Sequence, residues 1–178
     1  MRAFIALPVA GDALDGITRL QQYLPEGRPL PEENLHLTLA FLDDQPEESL
    51  EALHEDLSGI CAPGFAVPLR GLALFGQALA VEAEPVPPLA GLQTAVQAAA
   101  RRAGIALPRR RFRPHVTFAR LKGRGAGLSR YISENAATRL PDLQAAAFSL
   151  FASTLRPQGA LHEELARYPL VKIGRAHV

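Results

Sequence analysis

The chain predicts an α+β fold built on antiparallel sheets, and three observations carry that expectation. Strand-like and helix-like segments follow one another in a mixed order: strand, helix, strand, helix, hairpin, helix, strand, helix, hairpin. The connections are short and the turns rich in Pro, as in antiparallel sheets. One strand motif occurs twice, each time after a helix and a Pro-rich loop and before a helix and a hairpin. With 178 residues, 48% hydrophobic and 21% charged, the composition is that of a soluble globular chain. The length suits one substantial domain or two small lobes sharing a core.

RAFIAL (2–7) is a compact apolar run and reads as a buried strand. Asp12 and Asp15 follow it closely, so a first strand is expected here rather than a signal peptide. In residues 11–24, Leu14, Ile17, Leu20 and Leu24 recur at helical spacing behind Asp12, a candidate N-cap. Residues 25–34 form a Pro/Gly loop and 35–42 a strand. Residues 43–61 predict a helix with an acidic first turn, which the helix dipole favours, and an apolar stripe of Leu50, Leu53, Leu57 and Ile60. Residues 65–74 and 78–83 are two strands around the turn Phe75-Gly76-Gln77, ended by Pro85, Pro87 and Pro88. An Ala-rich helix over 89–103 closes on Arg101 and Arg102. A loop over 106–114, a strand over 115–121 and a flexible GRGAG (123–127) come next. A helix over 128–139 stops at Pro141, and residues 147–155 and 160–168 form a hairpin.

The net charge of +1 conceals an asymmetry. Residues 1–60 hold three Lys/Arg against twelve Asp/Glu, a net −9, and the remainder holds sixteen against six, a net +10. The densest basic stretch, RRRFR (109–113), suits a polyanion, although a solvated basic loop has the same composition. A single cysteine, Cys61, excludes an internal disulfide and fits a reducing cytoplasm. No apolar run approaches membrane-spanning length.

The repeated motif is the informative feature. NLHLTLAFL (34–42) aligns with RPHVTFARL (113–121), and the two histidines stand 79 residues apart. Side chains at i and i+2 leave a strand on the same face, so His36 and Thr38 lie side by side, with Leu37 and Leu39 pointing into a core. His115 and Thr117 repeat the arrangement with Val116 and Phe118 behind them. A pseudo-twofold relation would bring the two polar faces together at one cleft. Two imidazoles there suit a proton acceptor and a proton donor, because their ordinary pKa lies near neutrality. Threonine hydroxyls suit the charged non-bridging oxygens of a phosphate. No carboxylate cluster or cysteine set accompanies them, so no metal site is expected. A lone H-x-T on a strand is commonly structural; two in register point to acid–base attack on a phosphodiester.

These paired motifs, HLTL and HVTF, resemble those of the 2H phosphoesterase superfamily. RAFIAL, ENLHLTLAFL, RFRPHVTFAR and FSLFASTLRPQGALHEELARYPL together resemble the RNA 2′,3′-cyclic phosphodiesterases, first named 2′-5′ RNA ligases, over nearly the whole chain to about Leu170. The resemblance implies a bilobed fold, two pseudo-twofold-related lobes around a central cleft with helices on the outer faces. It implies hydrolysis of a terminal RNA 2′,3′-cyclic phosphate to a 2′-phosphate, and reversible 2′-5′ joining of RNA ends, with neither ATP nor metal. By similarity, His36 gives a proton to the departing O3′, His115 activates water, and Thr38 and Thr117 hold the phosphate oxygens. Residues alone leave donor and acceptor unassigned. Members often carry an aromatic residue, commonly Trp, shortly before the first motif, where this chain has Leu30-Pro31.

The expected partners are RNA ends, tRNA fragments among them, with no cofactor, no membrane contact and a monomeric chain. A small cyclic phosphate (an ADP-ribose cyclic phosphate or a cyclic nucleotide) is the alternative substrate. A non-catalytic RNA- or nucleotide-binding module is the alternative outside enzymology, and it does not need two titrating imidazoles. Arg109, Arg110, Arg111 and Arg113 are candidates to hold an RNA backbone outside the cleft. Arg120 is a further candidate, but regular strand parity turns it, like Phe41, away from the histidine face; only a bulge would bring it back. Phe4, Phe41 and Phe112 are candidates to stack a base, with core packing expected for Phe4 and Phe41. His54 is expected in solvent, His162 outside catalysis, and Cys61 buried as a small hydrophobe.

Residues 1–171 are expected to form a single bilobed domain. The tail KIGRAHV (172–178) fits no element, and IGRAHV is what a common sequencing-library adapter encodes when translated. The expectation is that this tail is not native, which resequencing the gene checks; His177 is given no role.

Overall fold

The computed structural model describes residues 1–123 and 125–171; the tail lies outside the described residues. The strands are β1 (Arg2–Pro8), β2 (Arg28–Pro29), β3 (His36–Asp44), β4 (Phe65–Phe75), β5 (Ala78–Ala83), β6 (His115–Arg120), β7 (Arg139–Ala145), β8 (Ala147–Thr154) and β9 (Leu161–Pro169). The helices are α1 (Gly11–Gln22), α2 (Glu47–Ser58), α3 (Pro87–Arg102) and α4 (Ala126–Glu134). The strands form one sheet in the order β7-β4-β5-β6-β3-β1-β8-β9, with β2 added against β6. Every ladder between named strands is antiparallel.

The α+β expectation holds, and the two motif strands are the seam of the sheet. β3, β1, β8 and β9 make one half, β6, β5, β4 and β7 the other, and they join where Leu37 faces Val116. The sequential units expected from the repeat are interleaved. The hairpin β4–β5 follows the first motif but pairs with the second motif strand, while β8, from the C-terminal hairpin, completes the first half beside β1.

Alternation places Ala3, Ile5, Leu7, Leu37, Leu39, Val116 and Phe118 in one large core that also takes in the buried stripes of the helices. Helix α1 packs on β7 and β6, α3 on β3 and β4, and α2 on α3 and β9. The other face of the sheet carries a small cluster of Phe4, Ala6 and Phe151. No helix among the described residues is long and apolar enough to cross a membrane.

Several boundaries differ from expectation, each for a local reason. Asp43 and Asp44 belong to β3, and α2 begins only after Pro46, its N-cap. Asp12 sits in the first turn of α1, where it complements the dipole, and Ala10 occupies the cap position. Pro87 and Pro88 open α3, where a missing N–H costs no hydrogen bond. The fourth helix, expected over 128–139, ends at Glu134, and β7 follows over Arg139–Ala145, a strand that is not expected from the sequence. Pro141 is tolerated there because β7 is an edge strand, and a register shift in its pairing with β4 gives Leu140 and Leu143 a helix-like spacing. Cys61 is exposed, because the helix already ends at Gly59. His54 is exposed yet paired, its Nδ1 lying 2.7 Å from the Tyr168 hydroxyl.

Both motif strands carry the same irregularity. Ala6 faces Thr38 but Ile5 faces Ala40, so Leu39 is an extra residue in β3. Ala80 faces Thr117 but Leu79 faces Ala119, so Phe118 is the extra residue in β6. Such a bulge turns the residues that follow to the opposite face, in β3 only as far as a second shift, where Phe4 faces Phe41 but Ala3 faces Asp43. The Phe118 carbonyl accepts hydrogen bonds from Gln21 Nε2 at 3.0 Å and from the Leu30 amide at 2.9 Å, so the irregular backbone is not left unpaired.

The bulges give two phenylalanines opposite fates. Phe118 is fully buried and Phe41 is 62% exposed. Phe118→Ala is expected to cost about 3–5 kcal/mol in urea unfolding, and Phe41→Ala to fall within about 0.5 kcal/mol of the parent. Equal losses would contradict this placement.

Candidate functional site

The pairing of Leu37 with Val116 decides the geometry of the site. Each is the middle residue of a His-x-Thr triplet, and the strands run antiparallel. His36 is therefore set on the side of Thr117, and Thr38 on the side of His115, all four on the face opposite Leu37 and Val116. They are partly buried, whereas Leu37 and Val116 are sealed in the core. A cavity of about 240 Å³ is lined by all four, together with Arg120 and Phe41. The bulges have brought Arg120 and Phe41 onto this face, which corrects the regular parity expected for both.

A second cavity, about 400 Å³, shares Thr38, Phe41 and His115 with the first and extends to Arg110, Arg111 and Arg113. Arg109 lines an adjoining groove with Arg101. The arginine cluster thus borders the site on the His115 side. Phe112 lines the second cavity and packs against the main core. Phe4 is buried in the small cluster on the cleft face. Among the described residues, no group of three or more His, Cys, Asp or Glu stands close enough to hold a metal ion.

The two histidines have unlike surroundings. His115 Nδ1 lies 2.7 Å from the Arg113 carbonyl. A carbonyl only accepts, so Nδ1 carries the proton and Nε2 is left for chemistry. The ring also stacks on Phe75 at 3.8 Å and 13°, and the Arg113 guanidinium lies 4.7 Å from the Phe75 centroid. The Arg113–Glu82 pair, at 3.9 Å and exposed, adds little. His36 instead sits among rings: Phe151 at 4.3 Å, His162 at 5.4 Å and Phe4 at 5.5 Å. Burial chiefly, and the neighbouring His162 next, lower its pKa to about 4, while Glu164 pulls the other way. His162, expected outside catalysis, lines the cleft beside His36. Its hairpin position carried no motif, and it comes near His36 only because β8 and β9 stack beside β1.

The chain matches the 2′-5′ RNA ligase superfamily over residues 8–152. The RNA 2′,3′-cyclic phosphodiesterase of Geobacillus stearothermophilus is 35% identical over 130 residues, covering 66% of this chain and 41% of that protein. The chain therefore spans less than half the length of that relative. The protein of the same name from Thermus thermophilus is 31% identical over 162 residues, covering 80% of this chain and 75% of that one. The crystal structure of Escherichia coli LigT in its apo form superposes with a TM-score of 0.76 at 26% identity, covering 95% of this chain and 96% of that one.

The environment of His36 has a consequence for stability. An imidazole that titrates at 6.5 when unfolded and at about 4 when folded takes up its proton more readily in the unfolded chain. Stability from this group is complete above pH 6.5 and lost as the pH falls toward 4, by up to about 3 kcal/mol. His36→Leu should show a correspondingly smaller loss over that window in pH-dependent thermal unfolding. An unchanged pH slope would contradict the burial of a neutral imidazole.

Proposed function

Because the chain belongs to the 2′-5′ RNA ligase superfamily, we propose that it is an RNA 2′,3′-cyclic phosphodiesterase, opening a terminal cyclic phosphate to a 2′-phosphate by two-histidine acid–base catalysis. The observation that carries this reading is the Leu37–Val116 pairing, which gathers two imidazoles and two threonine hydroxyls on one face. One imidazole takes a proton from water as its oxygen bonds to phosphorus. The other gives a proton to O3′ as the P–O3′ bond breaks, and the 2′ ester survives. Thr38 and Thr117 donate to the non-bridging oxygens, and Arg120 adds a positive charge from the same cavity wall. With a ribose 5′-hydroxyl in place of water, the same step joins RNA ends through a 2′-5′ linkage as O3′ leaves; in its reverse, O3′ attacks phosphorus, the 5′ oxygen leaves with a proton, and the two imidazoles exchange roles.

His115 suits the acceptor role that family resemblance assigns it, with its Nδ1 proton committed to the Arg113 carbonyl and Nε2 free. The donor role assigned to His36 requires a proton in the complex. Burial works against that proton, and the negative phosphodiester works for it. An RNA substrate, rather than a small cyclic phosphate, is favoured by the continuation of the cleft into the cavity lined by Arg110, Arg111 and Arg113.

The test is an assay on RNA ending in a 2′,3′-cyclic phosphate, with the position of the product phosphate determined. His36→Ala and His115→Ala should each reduce the rate by at least about 10²-fold with the fold retained, and the parent activity should survive EDTA. Near-normal activity in either variant, or a strict metal requirement, would overturn the proposal. Replacing Arg110 and Arg111 by Ala should weaken RNA binding and flatten its salt dependence, while hydrolysis of a nucleoside 2′,3′-cyclic phosphate is unchanged.

A further inference from the structure

His162 faces Ser153 across the β8–β9 ladder and lines the same cavity as His36 and Thr38. Its ring meets that of His36 at 33° and stands edge-on to Phe4 at 4.8 Å. Phe151 stacks on Phe4 at 5.1 Å and closes the group. Two imidazoles and two phenyl rings therefore share one small cluster on the cleft face. Within it, His162 Nδ1 is buried and has no hydrogen-bond partner among the described residues.

A buried N–H without an acceptor is rarer than a buried acceptor without a donor, so Nδ1 is better suited to carry the lone pair. Protonating His162 would place a charged N–H at that unpartnered atom, beside a second imidazole. We propose that His162 is a positioning residue for His36: it seats the ring in the aromatic cluster and titrates with it as a coupled pair, so that the two do not carry charge together.

The other charged or titratable groups around this cavity are Asp43 on β3, Arg2 on β1, and His115 and Arg120 on β6. Glu164 on β9 acts against the pair's mutual repulsion, but its carboxylate already accepts hydrogen bonds from Ser149 Oγ at 2.8 Å and Arg167 Nε at 3.1 Å. His162 is itself pushed down by burial, and its charge in turn lowers His36. The first proton added to the cluster therefore opposes the second. The consequence for catalysis rests on the phosphodiesterase reading; the coupling does not.

The experiment follows the Cε1–H resonances of both histidines through a pH titration by NMR, in the parent, His162→Gln and His162→Phe. Gln keeps a polar end and Phe keeps the stack, and both remove the charge. In whichever variant folds, the His36 midpoint should rise by about half a pH unit or more. A His36 midpoint unchanged from the parent would overturn the coupling. If the protein opens a 2′,3′-cyclic phosphate, one limb of its kcat/KM pH profile should move upward in the same variants while the other stays. A lower kcat with both limbs unmoved would reduce His162 to packing and overturn the proposal. Absence of hydrolysis in the parent would count against the phosphodiesterase reading alone, since the NMR titration needs no substrate.

Discussion

Leu37 and Val116 meet at the seam of the sheet, and the site depends on that single pairing. Two fully buried aliphatic side chains lock the register of β3 against β6 from the core side. Register in a strand pair is all or none: a slip of one residue would turn every motif side chain to the other face. The same apolar contact that joins the halves therefore brings His36 and Thr38 beside Thr117 and His115. Hydrophobic burial supplies the geometry, and the polar face inherits it.

The symmetry of the two halves stops at their surroundings. The bulges at Leu39 and Phe118 are equivalent, yet they deliver an aromatic ring, Phe41, on one strand and a cation, Arg120, on the other. His115 is oriented by a carbonyl and a stacked Phe75, and His36 is enclosed by rings from β1, β8 and β9. Two chemically identical side chains thus acquire different surroundings, and burial lowers the proton affinity of His36. The interleaved topology helps produce that difference. The ring beside His115 comes from the hairpin next in sequence, while two of the rings beside His36 come from the distant C-terminal hairpin.

The site's centre was legible in the sequence because it depends on parity alone. His36, Thr38, His115 and Thr117 sit two apart on short strands, before any irregularity intervenes. Arg120 and Phe41 lie beyond the bulges, where counting by twos fails, and no residue in either stretch announces a bulge. β7 was missed because Pro141 reads as a terminator and a register shift spaces the buried Leu140 and Leu143 three apart, so no alternation shows. Cys61 was misplaced because the helix stops earlier than its apolar stripe suggests. His162 was legible only as a residue of a hairpin; its place beside His36 is a property of strand order, which local pattern does not encode. The α+β class, by contrast, follows from element order and short connections and needs no such long-range information.

The central claim is that the two motifs form one site in which one imidazole accepts a proton and the other donates one during the same turnover. The most direct measurement is the pH dependence of kcat/KM for an RNA with a 2′,3′-cyclic terminus. The account expects a bell, with one limb for the group that must be neutral and one for the group that must be protonated. A profile that is flat, or that has a single limb across the range in which the protein stays folded, would contradict it.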